Sequence, residues 1–277
     1  MIAVVKISRA RLQVFPDRLN RRQAKAVRAV SRKLRPFLKK QGKKVAQEIG
    51  RAYHVKFKAS SGDQADAQRI LESLDLSDWV AIGEQIRGQL ELGFDQGGSD
   101  ALITLNFDDK EMFNRVNDRA VAFALDRAAE LVGKKYVDGV LADNPDAQWA
   151  ITESTRQGLR DLVVKALTDG MSVDELEQSI VDSYWFSEAR AEMISRTELA
   201  FAHVSGSIAG WQESDVVKGY AWILGSEHAI EDECDDNDGV EVKLGELFPS
   251  GDPGPPAHPN CVCGLEPILK PEYTADE

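Results

Sequence analysis

The chain has 277 residues, of which 43% are hydrophobic and 29% are charged. This length allows two ordinary domains, and the composition lies near the globular average, which excludes a wholly disordered chain, a collagen and a coiled-coil fibre. No run approaches the roughly 18 consecutive apolar residues that a membrane span needs, and Lys6, Arg9 and Arg11 interrupt the stretch where a signal peptide would be apolar. Three cysteines are too few for a disulfide framework and favour a reducing compartment.

Positive and negative charges are divided unequally along the chain. The overall net charge is −12, but residues 1–58 contain 18 Lys or Arg against only Asp17 and Glu48, which gives +16. The remaining residues contain 16 basic and 44 acidic side chains, which gives −28. A segment this basic attracts polyanions such as nucleic acid, an acidic protein or an anionic membrane, whereas the acidic body repels them.

The basic N-terminal segment predicts an extended stretch followed by helix. Residues 2–15 alternate loosely between apolar and polar side chains, which is typical of an extended segment. From Asp17 to about Tyr53 apolar residues recur at helical spacing, and Pro36 and Gly42 predict a kink or break between two basic helices. This arm is either a solvated helix face or a surface that binds a polyanion or a partner protein.

The middle of the chain predicts helices separated by polar breaks. Residues 59–64 (ASSGDQ) form a polar joint, and helical periodicity follows as far as Leu90. The run 96–99 (QGGS) predicts a break, and residues 101–107 predict a short alternating segment. Asp108 and Glu111 then open a further helix in a capping-box pattern.

The rest of the chain predicts three helices and one buried strand: about Trp149 to Gly170, Ser172 to Val181, Ser187 to Glu213, and Val217 to Leu224. Ser172 and Glu175 form a second capping-box pattern. Gly206 and Gly210 leave one face of the third helix bare, which predicts close packing of another backbone there.

These patterns predict an α+β protein that is predominantly helical. It consists of a basic N-terminal helical arm, a helical middle, and a small C-terminal α+β domain with a loop clamped by cysteine and histidine. The predicted boundaries are 1–58 for the arm, 59–107 for a helical linker region, and 108–277 for the C-terminal domain.

Three sulfurs and one imidazole occur within thirty residues of the tail, at Cys234, His258, Cys261 and Cys263. Thiolate and imidazole are the ligands of tetrahedral structural zinc sites, and a loop-rich tail gains folding energy from such a clamp. Structural zinc is therefore the predicted cofactor. The alternative is a turn with buried thiols and a packed histidine, and a disulfide is less expected.

The acidic loop before the tail also has some features of a calcium loop. Asp236, Asp238 and Gly239 fall at the third, fifth and sixth positions, but the first position is Cys234 and the twelfth, which requires a bidentate Glu, is Gly245. A calcium site is therefore excluded. The cluster of acidic residues in this loop predicts a solvated loop or a docking surface for a basic neighbour.

The common signatures of cofactor enzymes and hydrolases are missing: there is no Walker loop, dinucleotide fingerprint, zinc-protease helix or nucleophile elbow. His203 lies beside the apolar stripe of its predicted helix, which is more typical of a packed histidine than of a base. We therefore expect no enzymatic activity. The alternative is a metal-dependent or ADP-ribosyltransferase-like enzyme that uses Glu198, His203 or a metal at the cysteine cluster.

The run 186–198 (FSEARAEMISRTE), the helix through Trp211, the strand after it and the ending 255–263 (PPAHPNCVC) together resemble the phage Mu protein F-like family of head morphogenesis proteins. The resemblance covers roughly residues 111–268. Asn237 stands where the family often has a second upstream cysteine, and Val262 where it often has Arg. The helix signature is matched by Arg190, Glu192, Arg196, Thr197 and Glu198, and the tail by Cys234, His258, Pro259, Cys261 and Cys263.

The resemblance implies a minor head protein of a tailed bacteriophage that acts in head assembly and in DNA packaging or delivery. Such a protein is implied to lie in the head interior or at the portal vertex of the virion, and in the host cytoplasm during assembly. The implied partner is the portal protein, and the basic arm adds packaged DNA or, alternatively, a major capsid or scaffold protein; no membrane partner is expected. Six residues of the arm form the predicted nucleic-acid-binding surface: Arg21, Arg22, Lys39, Lys40, Lys43 and Lys44.

Overall fold

The computed structural model describes residues 21–57, 64–72, 74–229 and 231–274. The helices are α1 Arg21–Phe57, α2 Gln64–Glu72, α3 Val80–Thr104, α4 Lys110–Glu130, α5 Ile151–Asp169, α6 Val173–Val181 and α7 Glu188–Ser214. The strands are β1 Lys134–Val137, β2 Val140–Asp143, β3 Val217–Ile223, β4 Glu241–Lys243 and β5 Gly264–Leu269. The predicted class, α+β and predominantly helical, is confirmed. The extended segment predicted for residues 2–15 and residues 59–63 of the predicted joint lie outside the described residues.

The described residues group into two compact units. The first unit takes its described residues from 1–27, 87–125 and 196–277, and the second from 28–86 and 126–195. The three consecutive segments predicted from sequence, 1–58, 59–107 and 108–277, stay a prediction.

Helix α1 is one continuous helix of 37 residues that contains Pro36. The predicted break between two basic helices is therefore wrong. Leu34 and Leu38, on either side of Pro36, are both fully buried, so the apolar face continues across the proline. Gly42 serves a different purpose, because an added Cβ would lie 2.9 Å from Cβ of Phe186. The free energy gained by burying the apolar face outweighs the cost of the hydrogen bond that proline removes from the helix.

Helix α3 also continues where sequence predicted an interruption. It runs through the glycines of 96–99 and includes most of the segment 101–107 that was predicted to alternate, so both predictions are wrong. An added Cβ at Gly97 would overlap the carbonyl oxygen of His203, and one at Gly206 would overlap that of Phe94. The glycines thus let α3 and α7 approach closely within the first unit. The close backbone packing predicted at Gly206 and Gly210 is confirmed.

The helix termini follow local sequence signals. At the start of α4 the cap is Asp109 and not the predicted Asp108, since the Asp109 carboxylate accepts the backbone N–H of Glu111 at 2.8 Å. Helix α5 ends at Gly170, which has a left-handed φ of 68°. The capping box of α6 is present: Ser172 Oγ accepts the N–H of Glu175, and the Glu175 carboxylate accepts the N–H of Ser172.

Two small antiparallel sheets complete the fold. Strands β1 and β2 form a hairpin in the second unit, and β3 is the centre of a three-stranded sheet in the order β4-β3-β5 in the first unit. Ile223 at the end of β3 pairs with Gly264 at the start of β5. Trp222 of β3 lies with Trp211 and Phe248 in one buried cluster, which also contains all three cysteines. The sheet therefore fixes the loops that carry the cysteines.

Candidate metal centre

Two loops of the first unit meet beside the β3–β5 pair. Cys234 lies in the loop between β3 and β4, and Cys261 and Cys263 directly precede β5. Gly225, just after β3, packs so tightly that an added Cβ would overlap the carbonyl oxygen of Val262. The pairing of strands distant in sequence brings the cysteines together.

The sulfurs and two imidazoles form one buried cluster. Cys234 Sγ lies 3.6 Å from Cys261 Sγ. The ligand atoms of Cys234, His258 and Cys261 lie within 4.8 Å of one another, and so do those of His228, Cys234 and Cys263. All three cysteines are buried free thiols. The structure thus brings together the four residues that sequence named, and it adds His228, which sequence reasoning missed.

Hydrogen bonds around Cys263 favour its thiolate. Donation from the thiols of Cys234 and Cys261 outweighs burial and lowers the pKa of Cys263 to about 2, with further donation from the N–H of Gly225. The pKa of Cys234 is raised, first by its hydrogen bonds with Cys261 and Cys263 and then by burial. For Cys261, the bond with Cys234 lowers the pKa, but the bond with Cys263 and burial raise it to about 12. The cluster therefore favours a thiolate at Cys263, the form of cysteine that binds metals.

Carboxylates of the acidic loop lie close to both imidazoles. His228 Nε2 lies 2.7 Å from Asp235 Oδ1, and His258 Nε2 lies 3.0 Å from Asp232 Oδ1. Burial lowers the pKa of His228, but the hydrogen bond with Asp235 and the neighbouring charges outweigh it and raise the pKa. Asp232 Oδ1 also accepts the backbone N–H of Cys234 at 3.1 Å. Part of the acidic loop thus binds His228 and the Cys234 backbone and is not merely solvated.

Asn237 explains how this tail closes without a fourth cysteine. Its side chain is fully buried, its Nδ2 donates to Ser250 Oγ at 2.9 Å, and its Oδ1 accepts the N–H of Ser250 at 3.1 Å. Both hydrogen bonds tie the loop before β4 to the turn at residue 250. Asn237 therefore fastens the loop by amide hydrogen bonds.

The donor set fits a zinc ion. Three thiolate sulfurs with an imidazole nitrogen are a set that zinc accepts in tetrahedral structural sites. The Asp235 carboxylate on Nε2 of His228 is the kind of outer-shell partner that orients metal-bound histidines. This cluster could therefore hold a metal ion.

Comparison with protein families matches residues 157–266 to the model described as phage Mu protein F like protein. The chain carries a phage Mu protein F-like segment. The resemblance predicted from sequence is thereby confirmed over this segment, which includes all five residues of the cluster. The family indicates a phage head morphogenesis protein. Searches of curated protein sequences and of solved structures gave no match.

The signature residues of the Mu F-like segment have separate structural roles. Arg190, in the second unit, is buried, and its guanidinium donates to Thr155 Oγ1, Ser154 Oγ and two backbone carbonyls. Burial lowers its pKa to about 10. Glu192 and Arg196 are exposed. In the first unit, Thr197 Oγ1 accepts a backbone hydrogen bond from the cysteine-histidine tail. Arg190 and Thr197 thus support the fold through hydrogen bonds.

The two residues considered for an enzymatic role are both buried in the first unit. Glu198 is 2% exposed and His203 is 7% exposed. His203 Nε2 lies 3.5 Å from Asp100 Oδ2, and neither ring nitrogen makes a hydrogen bond with a described residue. This setting is that of a packed histidine on α7.

The six predicted nucleic-acid-binding residues all lie on α1. Five of them, Arg21, Arg22, Lys39, Lys40 and Lys43, are exposed. Lys44 is half-buried, and its Nζ lies 3.0 Å from Asp78 Oδ1. The hydrogen bond to Asp78 outweighs burial and raises the pKa of Lys44. Lys44 is thus engaged within the second unit.

Within the second unit, exposed cations of α1 lie along one side of the helix. Arg28, Arg32, Lys39 and Lys43 follow one another at steps of four, seven and four residues, which places them on one face. We call these four the basic stripe. Arg35 lies on the same face and pairs with Glu188 at 3.2 Å. At about 1.5 Å per residue the stripe is roughly 22 Å long.

A search of the described helices for a membrane-spanning segment found none with sufficient length and hydropathy.

Proposed function

We propose that the protein is a minor head component of a tailed bacteriophage that binds the portal protein and packaged DNA during head assembly and DNA packaging or delivery. The observation that carries the proposal is the Mu F-like segment at residues 157–266. The protein would then reside in the virion, at the head interior or portal vertex.

Portal binding can be tested with purified proteins. The full chain and the portal protein of the same phage are mixed and analysed by sedimentation velocity. Comigration of the chain with the portal oligomer supports the proposal. Separate sedimentation, together with normal heads from phage that lack the gene, would contradict it.

The Cys/His cluster is proposed to be a structural zinc centre. Four protein ligands close a zinc site and leave no open position for substrate, and the cluster is buried beside the core of the first unit. Zinc would cross-link the two loops that carry the cysteines and add its binding energy to folding. Purified protein should contain about one zinc per chain, and a chelator should lower its melting temperature. A metal-free chain whose melting is unaffected by chelator would remove the centre.

The basic stripe is proposed to be the DNA contact. Arg28, Arg32, Lys39 and Lys43 are exposed, and the structure shows no ion pair between them and another described residue. Each neutralised phosphate contributes about −0.9 to the slope of log affinity against log salt. Four contacts thus predict a contribution of about −3.6 from the stripe.

Charge reversal tests this contact. Replacing all four stripe residues by Glu should weaken duplex DNA binding and reduce the salt slope by about three to four. The matched control replaces four exposed lysines elsewhere by Glu: Lys110, Lys135, Lys165 and Lys218. Equal affinity of the stripe variant and the control would contradict DNA binding at the stripe. If the stripe variant instead lost binding to an acidic capsid or scaffold protein alone, the arm would be a protein tether.

A further inference from the structure

The cluster offers one donor more than zinc needs. Three sulfurs and two imidazoles lie in two groups of three that share Cys234: His228, Cys234 and Cys263, and Cys234, His258 and Cys261. Closed structural zinc sites take four ligands in tetrahedral geometry. With three thiolates bound, only one of His228 and His258 can complete the site.

The Nδ1 nitrogen of His228 faces the sulfurs. Its Nδ1 lies 3.6 Å from Cys263 Sγ, while its Nε2 lies 2.7 Å from Asp235 Oδ1. Because an ionised carboxylate only accepts hydrogen bonds, the proton belongs on Nε2. This tautomer leaves the lone pair of Nδ1 facing the cluster. A carboxylate on the opposite nitrogen is the usual outer-shell partner of a zinc-bound histidine.

His258 is held differently. Its Nδ1 lies 2.9 Å from the carbonyl oxygen of Pro259, which also only accepts, so that Nδ1 carries the proton. The other nitrogen, Nε2, is buried and lies 3.0 Å from Asp232 Oδ1, out of line for a hydrogen bond. A metal on Nε2 would therefore also meet this carboxylate and acquire a fifth ligand. The His258 side chain is 24% exposed, against 9% for His228.

The division of ligands between the loops also favours His228. With His228, the β3–β4 loop contributes His228 and Cys234, and the tail contributes Cys261 and Cys263. With His258, the first loop would be held by Cys234 alone. Two ligands from each side fix both the position and the orientation of one loop against the other.

Resting on the zinc centre proposed above, we propose that its fourth ligand is Nδ1 of His228, in place of the His258 predicted from sequence. Asp235 is a positioning residue that holds the imidazole through Nε2. His258 lies outside the metal, where it contacts Asp232.

The test compares zinc content and cobalt(II) absorption of the full chain with those of single variants. We expect His228→Ala to lower metal affinity by at least about 100-fold and Asp235→Asn by about 10- to 100-fold. His258→Ala, the matched control, should retain about one zinc per chain. Loss of zinc from His258→Ala with retention by His228→Ala, or equal loss from both, would overturn the assignment.

Cysteine variants keep the test valid if an alanine variant fails to fold. His228→Cys should form a four-thiolate site with stronger sulfur-to-cobalt charge-transfer absorption than the wild type, whereas His258→Cys should leave the spectrum unchanged. A stronger band in His258→Cys alone would overturn the assignment. A wild-type chain that binds neither metal would remove the centre itself, which separates failure of the proposed zinc site from failure of the ligand choice.

Discussion

The hydroxyl oxygen of Thr197 on α7 accepts a hydrogen bond from the backbone N–H of Asn260 at 3.1 Å. Asn260 lies between His258 and Cys261 and has a left-handed φ of 63°. The bond therefore links the helix signature of the Mu F-like segment to the turn that presents the cysteines. It accounts for the joint presence of a helix motif and a cysteine motif far apart in sequence.

Removing this acceptor should loosen the turn. Thr197→Val keeps the shape of the side chain but cannot accept the Asn260 N–H, and we expect a loss of about 0.5–1.5 kcal/mol in unfolding free energy, measured by urea denaturation. Thr197→Ser is the control, since it retains the hydroxyl. Equal destabilisation by both variants would show that the methyl group, and not the hydrogen bond, matters.

Loss of the Arg190 side chain should strongly destabilise the second unit. Its guanidinium donates four hydrogen bonds between 2.7 and 3.1 Å and lies over the Trp185 ring at 4.9 Å. We expect Arg190→Ala to cost more than about 2 kcal/mol, because buried acceptors are left unpaired. Arg190→Lys should rescue little, since an ammonium cannot reproduce the planar fork.

The exposed signature residue Arg196 is the control for this prediction. Arg196→Ala should change the unfolding free energy by less than about 0.5 kcal/mol, as for most surface substitutions. Chemical denaturation followed by circular dichroism measures both. Similar effects of the two variants would refute a special role of Arg190.

Two glycine substitutions should change the free energy of unfolding in opposite directions. Gly206→Ala would overlap the Phe94 carbonyl oxygen and force α3 and α7 apart within the first unit, and we expect a loss above about 1 kcal/mol. Gly88→Ala, on the exposed side of α3 with nothing within 4 Å of the new Cβ, should stabilise by about 0.5–1 kcal/mol. Melting temperatures distinguish them. A neutral Gly206→Ala would contradict the close approach of the two helices.

The contribution of Asp78 should depend on pH. Burial raises the pKa of Asp78, but hydrogen bonds from Lys44 and Gln41 outweigh it, so that the folded pKa lies below the ordinary 3.8. Stabilisation by the carboxylate is therefore present above pH 3.8 and is lost as the pH falls through the folded pKa. Asp78→Asn should cost less than about 1 kcal/mol at pH 7, because the pair is partly exposed.

Urea denaturation at pH 7 and at pH 3 tests this dependence. The difference between wild type and Asp78→Asn should shrink at the lower pH. Asp118→Asn, which removes an exposed carboxylate from α4, is the control. A difference that stayed constant between the two pH values would contradict the linkage.

Local signals predicted much of the fold. The capping box of Ser172 and Glu175, the helix stop at Gly170 and the long α7 depend on neighbouring residues, and all are present. Continuity of α1 and α3 could not be predicted locally, because buried packing on both sides of Pro36 and of Gly97 decides it. Helix breakers stop a helix only where tertiary contacts do not compensate.

The β1–β2 hairpin had a sequence signal that was overlooked. Asp138 and Gly139 stand between the two strands, and both have positive φ, 51° and 78°. An Asp-Gly pair between short strands is a strong hairpin signal. The residues on either side of this pair are partly polar and alternate only weakly, so no strand was predicted there.

His228 could not be placed from sequence, because nothing near it marks a ligand. It is separated from Cys263 by 35 residues, and only the pairing of β3 with β5 brings the two together. His258 lies close in sequence to Cys261 and Cys263, so the sequence predicted His258 as the ligand. The proposed basic stripe includes Arg28 and Arg32, which sequence did not single out because doublets such as Lys39–Lys40 are more conspicuous than a helical face.

Between Ile223 and Gly264 the chain makes few backbone hydrogen bonds in strands, since β4 has only three residues. The order of this stretch therefore depends on side-chain contacts and, if the zinc centre is as proposed, on the ion. If zinc is bound as proposed, its removal should make the stretch between β3 and β5 more accessible to added protease than it is in the zinc-loaded chain.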